Sequence, residues 1–141
     1  MTQKDKELLL KDLCARLPYG VKISVQSWDE REMQYIDKVD VLYSVNGDEY
    51  IKSTNEDYDF SLEDIKPYLF PMSSIAEEHK KEFDRQTFEI MFGEFICKKN
   101  DEMEYGKLMA FDLDFYNKHH LDWRGLIPRG LAKDATGLNI Y

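Results

Sequence analysis

The fold is decided by residues 21–54, VKISVQSWDEREMQYIDKVDVLYSVNGDEYIKST. Apolar Val21, Ile23 and Val25 alternate with polar residues up to Gln26, before Trp28, which is the pattern of a strand with one buried face. Residues 35–45 predict a second strand and residues 49–53 a third. Between them, Asn46-Gly47 predicts a two-residue type I′ turn, because both of its central positions favour a positive φ. We therefore expect an antiparallel meander with one apolar face and one acidic face.

A helix is predicted immediately before this meander, over residues 5–17. Its apolar residues recur at helical spacing and form a single stripe: Leu9, Leu10, Leu13, Cys14 and Leu17. Pro18 and Gly20 end the helix. An amphipathic helix beside a half-apolar sheet is expected to cover that sheet.

The rest of the chain supplies shorter elements. We predict a capped helical turn at 61–65, an apolar connector over a sheet edge at 67–72, a surface helix at 73–83, a strand at 87–98 and a helix at 112–119. Together they predict an α+β fold in a single domain over residues 1–141. Its centre is a small curved antiparallel sheet, or a partly closed barrel, covered by the N-terminal helix and by C-terminal helical segments.

Composition limits the class of protein. The 141 residues are 43% hydrophobic and 33% charged, which suits one folded domain with a polar surface. Cys14 and Cys97 lie far apart without metal-ligand spacing, so we expect two reduced, partly buried thiols, with a disulfide or one reactive thiol as the alternatives. The charged N-terminus and the lack of a long apolar run predict a cytoplasmic protein that does not enter a membrane.

Negative charge is concentrated in one part of the chain. The net charge is −9, and residues 25–64 hold twelve acidic residues against three basic ones. Such a surface repels phosphate backbones, so direct nucleic-acid binding is disfavoured. Three interpretations stay open: solvated surface, docking of a basic partner protein, or a carboxylate cation site. Glu56, Asp57 and Asp59 are the candidate partner-binding residues, and their spacing lacks the pattern of a calcium loop.

The densest polar and aromatic chemistry lies at residues 115–130. Six residues there are candidate ligand-binding residues: His119, His120, Asp122, Trp123, Arg124 and Arg129. The arginines suit an anionic ligand and the tryptophan suits stacking on a base, as in a nucleotide pocket. The same residues equally suit a buried joint that docks a terminal helix.

Local geometry within this segment favours the joint. Adjacent His119 and His120 point about 100° apart on a helix, which is poor geometry for sharing a metal. In an extended segment Asp122 and Arg124 fall on the same side, so we predict an ion pair that locks the chain reversal before Gly125. The sequence holds no phosphate-binding loop, dinucleotide fingerprint or zinc-protease motif. We predict no metal, no cofactor and no catalytic residue.

Three blocks, residues 8–21, 65–74 and 117–132, resemble a family of small proteins without an established activity found in gut-bacterial genomes and their phages. The family often has an arginine where this chain has Phe70. That departure counts against a shared basic site in the connector. The resemblance implies a mobile-element context and no mechanism.

The sequence therefore predicts a non-enzymatic binding or regulatory protein that docks a basic partner through its acidic 25–64 segment. In a phage context, an inhibitor of a defence system is one form of this function. The alternative is a small-ligand or nucleotide-binding protein, or an enzyme, built around His119, Asp122, Trp123 and Arg124. A homodimer formed through a sheet edge is a third possibility.

Overall fold

The computed structural model describes residues 1–47, 50–74, 80–82, 84 and 112–141. The predicted strand at 87–98 and Cys97 lie outside these residues. The predicted helix at 73–83 lies mostly outside them as well, although residues 80–82 and 84 are helical.

Helix α1 spans Gln3–Arg16 and begins at a capping box. The Thr2 hydroxyl accepts a hydrogen bond from the Asp5 backbone at 3.2 Å, and the Asp5 carboxylate accepts one from the Thr2 backbone at 3.1 Å. These two bonds satisfy amide groups that no helical carbonyl reaches. The helix prediction is thus confirmed, with a start two residues earlier than expected.

The buried side of α1 differs from the predicted apolar stripe. Its buried residues are Leu9, Asp12, Leu13 and Arg16. Cys14, which was expected to be partly buried, is exposed. The buried face includes the charged residues Asp12 and Arg16. Both can be buried because they lie one helical turn apart and form an ion pair.

Within the described residues, six strands form one open sheet in the order β4-β3-β2-β1-β5-β6. Their bounds are β1 Lys22–Asp29, β2 Gln34–Val45, β3 Tyr50–Ser53, β4 Phe60–Ser61, β5 Lys66–Leu69 and β6 Lys133–Asp134. All neighbouring pairs are antiparallel except β5 and β6, which are parallel. The α+β prediction is confirmed, and of the two predicted forms the open sheet is the one observed.

The inner face of the sheet carries the core. Ile23 and Val25 of β1, with Leu42 of β2, pack against Leu9 and Leu13 of α1. The C-terminal segment adds further apolar side chains to the same cluster: Leu126, Leu131 and Ala132. Helix and C-terminal segment therefore share one core with the sheet, as the sequence predicts.

The opposite side of β1 and β2 is here called the outer face. It carries Gln26 and Trp28 of β1 and, directly across from them, Asp37 and Tyr35 of β2. Val39 follows on the same face because side chains alternate along a strand. Trp28, Tyr35 and Val39 are all exposed.

Two local predictions within the sheet are wrong. The predicted connector at 67–72 contains strand β5, in which Pro67 pairs with Ile23 of β1. Proline within a short apolar run argues against a strand, which is why the pattern was misleading. The β2–β3 hairpin is confirmed, but Gly47 does not have the positive φ that a type I′ turn requires. Instead, the Asn46 amide donates to the Tyr50 carbonyl and the Asn46 side chain accepts from the Tyr50 amide, each at 3.0 Å.

The chain reverses after a helix that covers residues 112–118. His120 has a φ of 56° and breaks the helix, and Leu121 then forms a bridge with Phe70 beyond the end of β5. At the C-terminus, the Tyr141 hydroxyl donates to the Tyr68 carbonyl at 2.6 Å and accepts from the Lys22 amide at 3.0 Å. Among the described helices, none is long and apolar enough to cross a membrane.

Candidate functional site

The C-terminal segment is joined to α1 by a buried ion pair. Asp12 and Arg16 are each 0% exposed, and two hydrogen bonds of 2.7 and 3.1 Å connect them in a bidentate arrangement. Arg16 also donates to the Leu121 carbonyl at 2.7 Å. The guanidinium thus links α1 to the main chain of the distant C-terminal segment, which is a structural task.

Arg124 belongs to the same joint. Its Nε atom lies 3.3 Å from the Asp12 carboxylate, and its guanidinium carbon lies 4.0 Å from the centroid of the Trp123 ring. The Trp123 indole in turn donates to the Asn117 side chain at 3.0 Å. A charge-assisted contact and a cation–π contact hold this arginine against the fold.

The predicted ion pair between Asp122 and Arg124 is wrong. Both oxygens of Asp122 accept backbone hydrogen bonds, from Leu126 at 2.7 Å and from Ile127 at 2.9 Å. The carboxylate thereby closes the turn that follows it, while Arg124 reaches α1. Alternation in an extended segment does not apply, because residues 123–130 are mostly turn.

The two histidines point to different environments. His120 stacks on the Tyr141 ring with centroids 3.9 Å apart, and burial, together with the nearby charge of Arg16, lowers its pKa to about 4. His119 packs on Phe115 and lies 3.7 Å from the Glu82 carboxylate. His120 is therefore neutral near pH 7, because its pKa lies well below that pH.

Arg129 lies apart from these residues, exposed at the surface and 3.3 Å from the Asp5 carboxylate. Among the described residues, no group of three or more histidine, cysteine or acidic side chains has the geometry to hold a metal ion. The structure thus brings Arg124 to the α1 pair, while the Trp123 indole bonds to Asn117 and the Asp122 carboxylate bonds to the Leu126 and Ile127 amides.

The acidic loop at 55–59 is anchored to the sheet. Asp40 accepts hydrogen bonds from the Asn55 amide and side chain at 3.0 and 2.8 Å. Burial opposes ionisation of Asp40, but the hydrogen bonds that it accepts outweigh burial and hold its pKa below the ordinary value. The loop also places Glu56 3.8 Å from Lys38 and Asp59 3.6 Å from Lys52. Two of the three candidate partner-binding carboxylates are thus paired within the chain.

Aromatic side chains dominate the far end of the β1–β2 hairpin. The Trp28 and Tyr35 rings meet edge to face with centroids 5.1 Å apart, yet they remain 46% and 66% exposed. Glu30 and Glu32 lie in the turn between their strands, are exposed, and form no ion pair with any residue that the structure describes. Here, large rings and unpaired carboxylates occur together.

A shallow groove of about 280 Å³ lies on the outer face, lined by Gln26 and Asp37, which are two residues from Trp28 and Tyr35 along their strands. Six of its lining residues are Ser24, Gln26, Asp37, Asp64, Lys66 and Lys133. Lys133 lies within it and donates to Ser24 and Asp37, each at 2.9 Å. The groove is thus polar, open and partly filled by a side chain of the same protein.

Sequence reasoning missed this outer face. Trp28 was treated only as the end of a strand and Asp37 only as part of a charge total. The available signal was the alternation of side chains along each strand. Gln26 and Trp28 of β1 lie two residues apart and so share one face, and they pair with Asp37 and Tyr35 of β2. The i, i+4 spacing of Asp12 and Arg16 likewise indicated the buried ion pair.

Comparison of the chain with protein-family models, curated proteins and solved structures found no significant match. The resemblance of the three sequence blocks to phage and gut-bacterial proteins stays a prediction.

Proposed function

We propose that this chain is a non-enzymatic binding protein that docks a basic partner protein through the outer face and the tip of the β1–β2 hairpin. The observation that carries the proposal is the exposed pair of rings, Trp28 and Tyr35, beside the unpaired carboxylates of Glu30 and Glu32. Tryptophan and tyrosine contribute disproportionately to protein–protein interfaces.

Charge supports a basic partner. The segment at 25–64 has nine more acidic than basic residues, equal to the net charge of the whole chain. A positively charged surface would be attracted over a distance and then held at short range by carboxylates and by cation–π contacts with the rings. Inhibition of a defence protein is the form of this function that the resemblance to phage proteins favours.

Ion pairs within the chain argue against the acidic loop as the main contact. Glu56 and Asp59 have Lys38 and Lys52 as neighbours, so part of their charge is already compensated. Asp57 is exposed and remains a candidate contact. We therefore give the loop a secondary role and the hairpin tip the main one.

The contacts do not favour the alternative ligand pocket at residues 119–124. Asp122 accepts hydrogen bonds from two backbone amides, and the Trp123 indole donates one to Asn117. Arg124 makes only a charge contact with the Asp12 carboxylate, because its Nε atom has no hydrogen-bond partner. A ligand would have to break these bonds before it could use the same atoms, which costs free energy.

The proposal is tested by capture from a host-cell lysate at low and high salt. We compare the wild type with Trp28→Ser, with a Glu30→Gln/Glu32→Gln variant and with an Asp57→Asn/Asp59→Asn variant. Glu7→Gln, on the exposed side of α1, is the matched control. Circular dichroism first verifies that each variant is folded.

We expect a partner that is released by high salt, lost with Trp28→Ser and with the hairpin-tip charge variant, weakened less by the loop variant and retained by the control. Capture that is insensitive to salt, or equal for the tip variants and the control, would overturn the proposal. The captured protein must also be basic and must bind the purified chain directly.

A further inference from the structure

Lys133 makes three kinds of contact that together define an ammonium site. Its Nζ atom donates to the Ser24 hydroxyl and to the Asp37 carboxylate, both at 2.9 Å. It also lies 5.7 Å from the centroid of the Tyr68 ring. A carboxylate, a neutral acceptor and an aromatic ring are all groups that attract a primary ammonium.

The position of this site follows from strand register. Strand β6 pairs in parallel with β5, and Lys133 lies directly beside Tyr68. On the other side of β5, Lys66 pairs with Ser24 of β1. Side chains with the same parity share a face, so Lys133 reaches across β5 to the outer face, where Asp37 lies two residues from Tyr35.

The ion pair of Lys133 with Asp37 is accessible, whereas Ser24 and Tyr68 are buried in the free protein. The Lys133 side chain is 35% exposed and that of Asp37 is 55% exposed. Ion pairs with this degree of exposure contribute little net stability, because water competes with both partners. An external lysine that arrives on the outer face can therefore replace the internal one at small cost.

We propose that Ser24, Asp37 and Tyr68 form a lysine-ammonium subsite of the docking surface, which Lys133 fills in the free protein and a lysine of the basic partner takes in the complex. This inference rests on the proposed function and names the chemical group recognised there. Lys133 acts as an internal competitor, so it lowers the affinity of the outer face for lysine-rich ligands.

The other charges of the groove are consistent with one such subsite. Glu63 is paired with Lys6 at 2.8 Å, which leaves Asp64 and Lys66 as nearby charges of opposite sign. The charges of Asp64 and Lys66 act in opposite directions on an ammonium in the groove. We therefore expect binding of an added ammonium to depend on whether Lys133 already occupies Asp37.

The test uses a fluorescein-labelled octalysine peptide and measures its fluorescence anisotropy at low salt. Lys133→Gln removes the internal competitor. Lys11→Gln is the matched control, because it removes the same charge from the exposed side of α1. We expect Lys133→Gln to bind the peptide about two- to fivefold more tightly than the control, the range that an exposed ion pair allows.

Two further variants keep the test sharp. Adding Asp37→Asn to Lys133→Gln should abolish the gain, since the carboxylate is then missing. Asp37→Asn alone should weaken binding more than Asp57→Asn, and this comparison decides the outcome if Lys133→Gln does not fold.

The outcomes separate the two proposals. Equal affinities of Lys133→Gln and Lys11→Gln, or equal losses with Asp37→Asn and Asp57→Asn, would overturn the subsite. If salt-sensitive binding nevertheless depends on Trp28, the proposed docking surface stands. If neither the wild type nor Lys133→Gln binds octalysine at low salt, the subsite fails, and the capture experiment with Trp28→Ser decides whether the docking surface stands.

Discussion

Asp12 and Arg16 show how a single pair of residues can join distant parts of a chain. Both side chains are fully buried, and Arg16 reaches the Leu121 carbonyl across more than one hundred residues of sequence. Burying two charges is costly, and their mutual attraction offsets that cost only when both partners are present. The pair therefore sets the position of the C-terminal segment more than it adds to net stability.

Asp12→Asn should lower the free energy of unfolding by about 3–5 kcal/mol, because it leaves Arg16 buried without its counter-charge. Urea unfolding followed by circular dichroism measures the change. Lys52→Gln, which removes one partner of an exposed pair, should change it by less than about 1 kcal/mol. A similar small loss for both variants would contradict the role assigned to the buried pair.

His120 couples stability to pH. Its ordinary pKa of 6.5 falls to about 4 in the folded protein. Between pH 6.5 and pH 4, His120 binds a proton in the unfolded chain but not in the folded one. The free energy of unfolding is therefore unaffected by His120 above pH 6.5 and falls as the pH decreases towards 4. The full loss is at most about 3 kcal/mol from a shift of this size.

His120→Asn should remove this dependence, because asparagine tolerates the positive φ of this position and does not titrate. The measurement is the free energy of unfolding of both proteins between pH 7.5 and pH 5 by urea titration. Carboxylates with lowered pKa values lose their contribution mainly below this range. Parallel curves for the two proteins would show that His120 does not carry the effect.

At the scale of elements, the joint between α1 and β1 depends on the backbone of one glycine. Gly20 has a φ of 64° and ends the short 3₁₀ turn Leu17–Tyr19 that follows α1. A Cβ atom there would meet no atom within 4 Å, so the conformation and not the space excludes other residues. The direction in which β1 leaves the helix follows from this single positive φ.

Gly20→Ala should destabilise the protein by about 1–2 kcal/mol, the cost of a left-handed conformation for an L-residue with a side chain. Gly47→Ala is the matched control, since Gly47 is also in open space but has no positive φ. It should be neutral or slightly stabilising, because alanine lowers the entropy of the unfolded chain. Thermal unfolding of both variants distinguishes these effects.

At the scale of the whole molecule, Tyr141 connects two strands of the sheet through its hydroxyl. Tyr141 binds the Lys22 amide and the Tyr68 carbonyl, and so connects the C-terminus to the beginning of β1 and to β5. Its ring stacks on His120, and desolvation of its hydroxyl raises the pKa of that group, although the residue as a whole is 43% exposed. The tail therefore holds together strands that are more than forty residues apart.

Tyr141→Phe should lower the free energy of unfolding by about 1–3 kcal/mol, because it keeps the ring and leaves an amide and a carbonyl without their partner. Amide hydrogen exchange should show faster exchange at Lys22. Tyr43→Phe, on an exposed ring, is the control and should change neither quantity. Unchanged protection of the Lys22 amide would contradict the bridging role.

The sequence predicted the elements whose information is local. Alternation predicted β1, β2 and β3, helical spacing predicted α1, and serine before an acidic pair predicted the short turn at 61–65, which is observed at Leu62–Asp64 with Ser61 as its cap. These patterns succeed because a strand or helix that buries one face must repeat its apolar residues with its own period.

Only the tertiary structure decided which residues are joint and which are surface. The sequence predicts an ion pair between Asp122 and Arg124. In the structure, Asp122 accepts hydrogen bonds from two backbone amides of the following turn, and Arg124 lies against Asp12 of α1. Strand β5 contains a proline, and β6 is two residues long and follows a turn. Each is a strand because it pairs with a neighbouring strand and not because of a pattern in its own sequence. The outer face likewise exists only once β1 and β2 are in register. Periodicity is a property of consecutive residues, whereas burial, pairing and free surface depend on contacts between residues far apart in the chain.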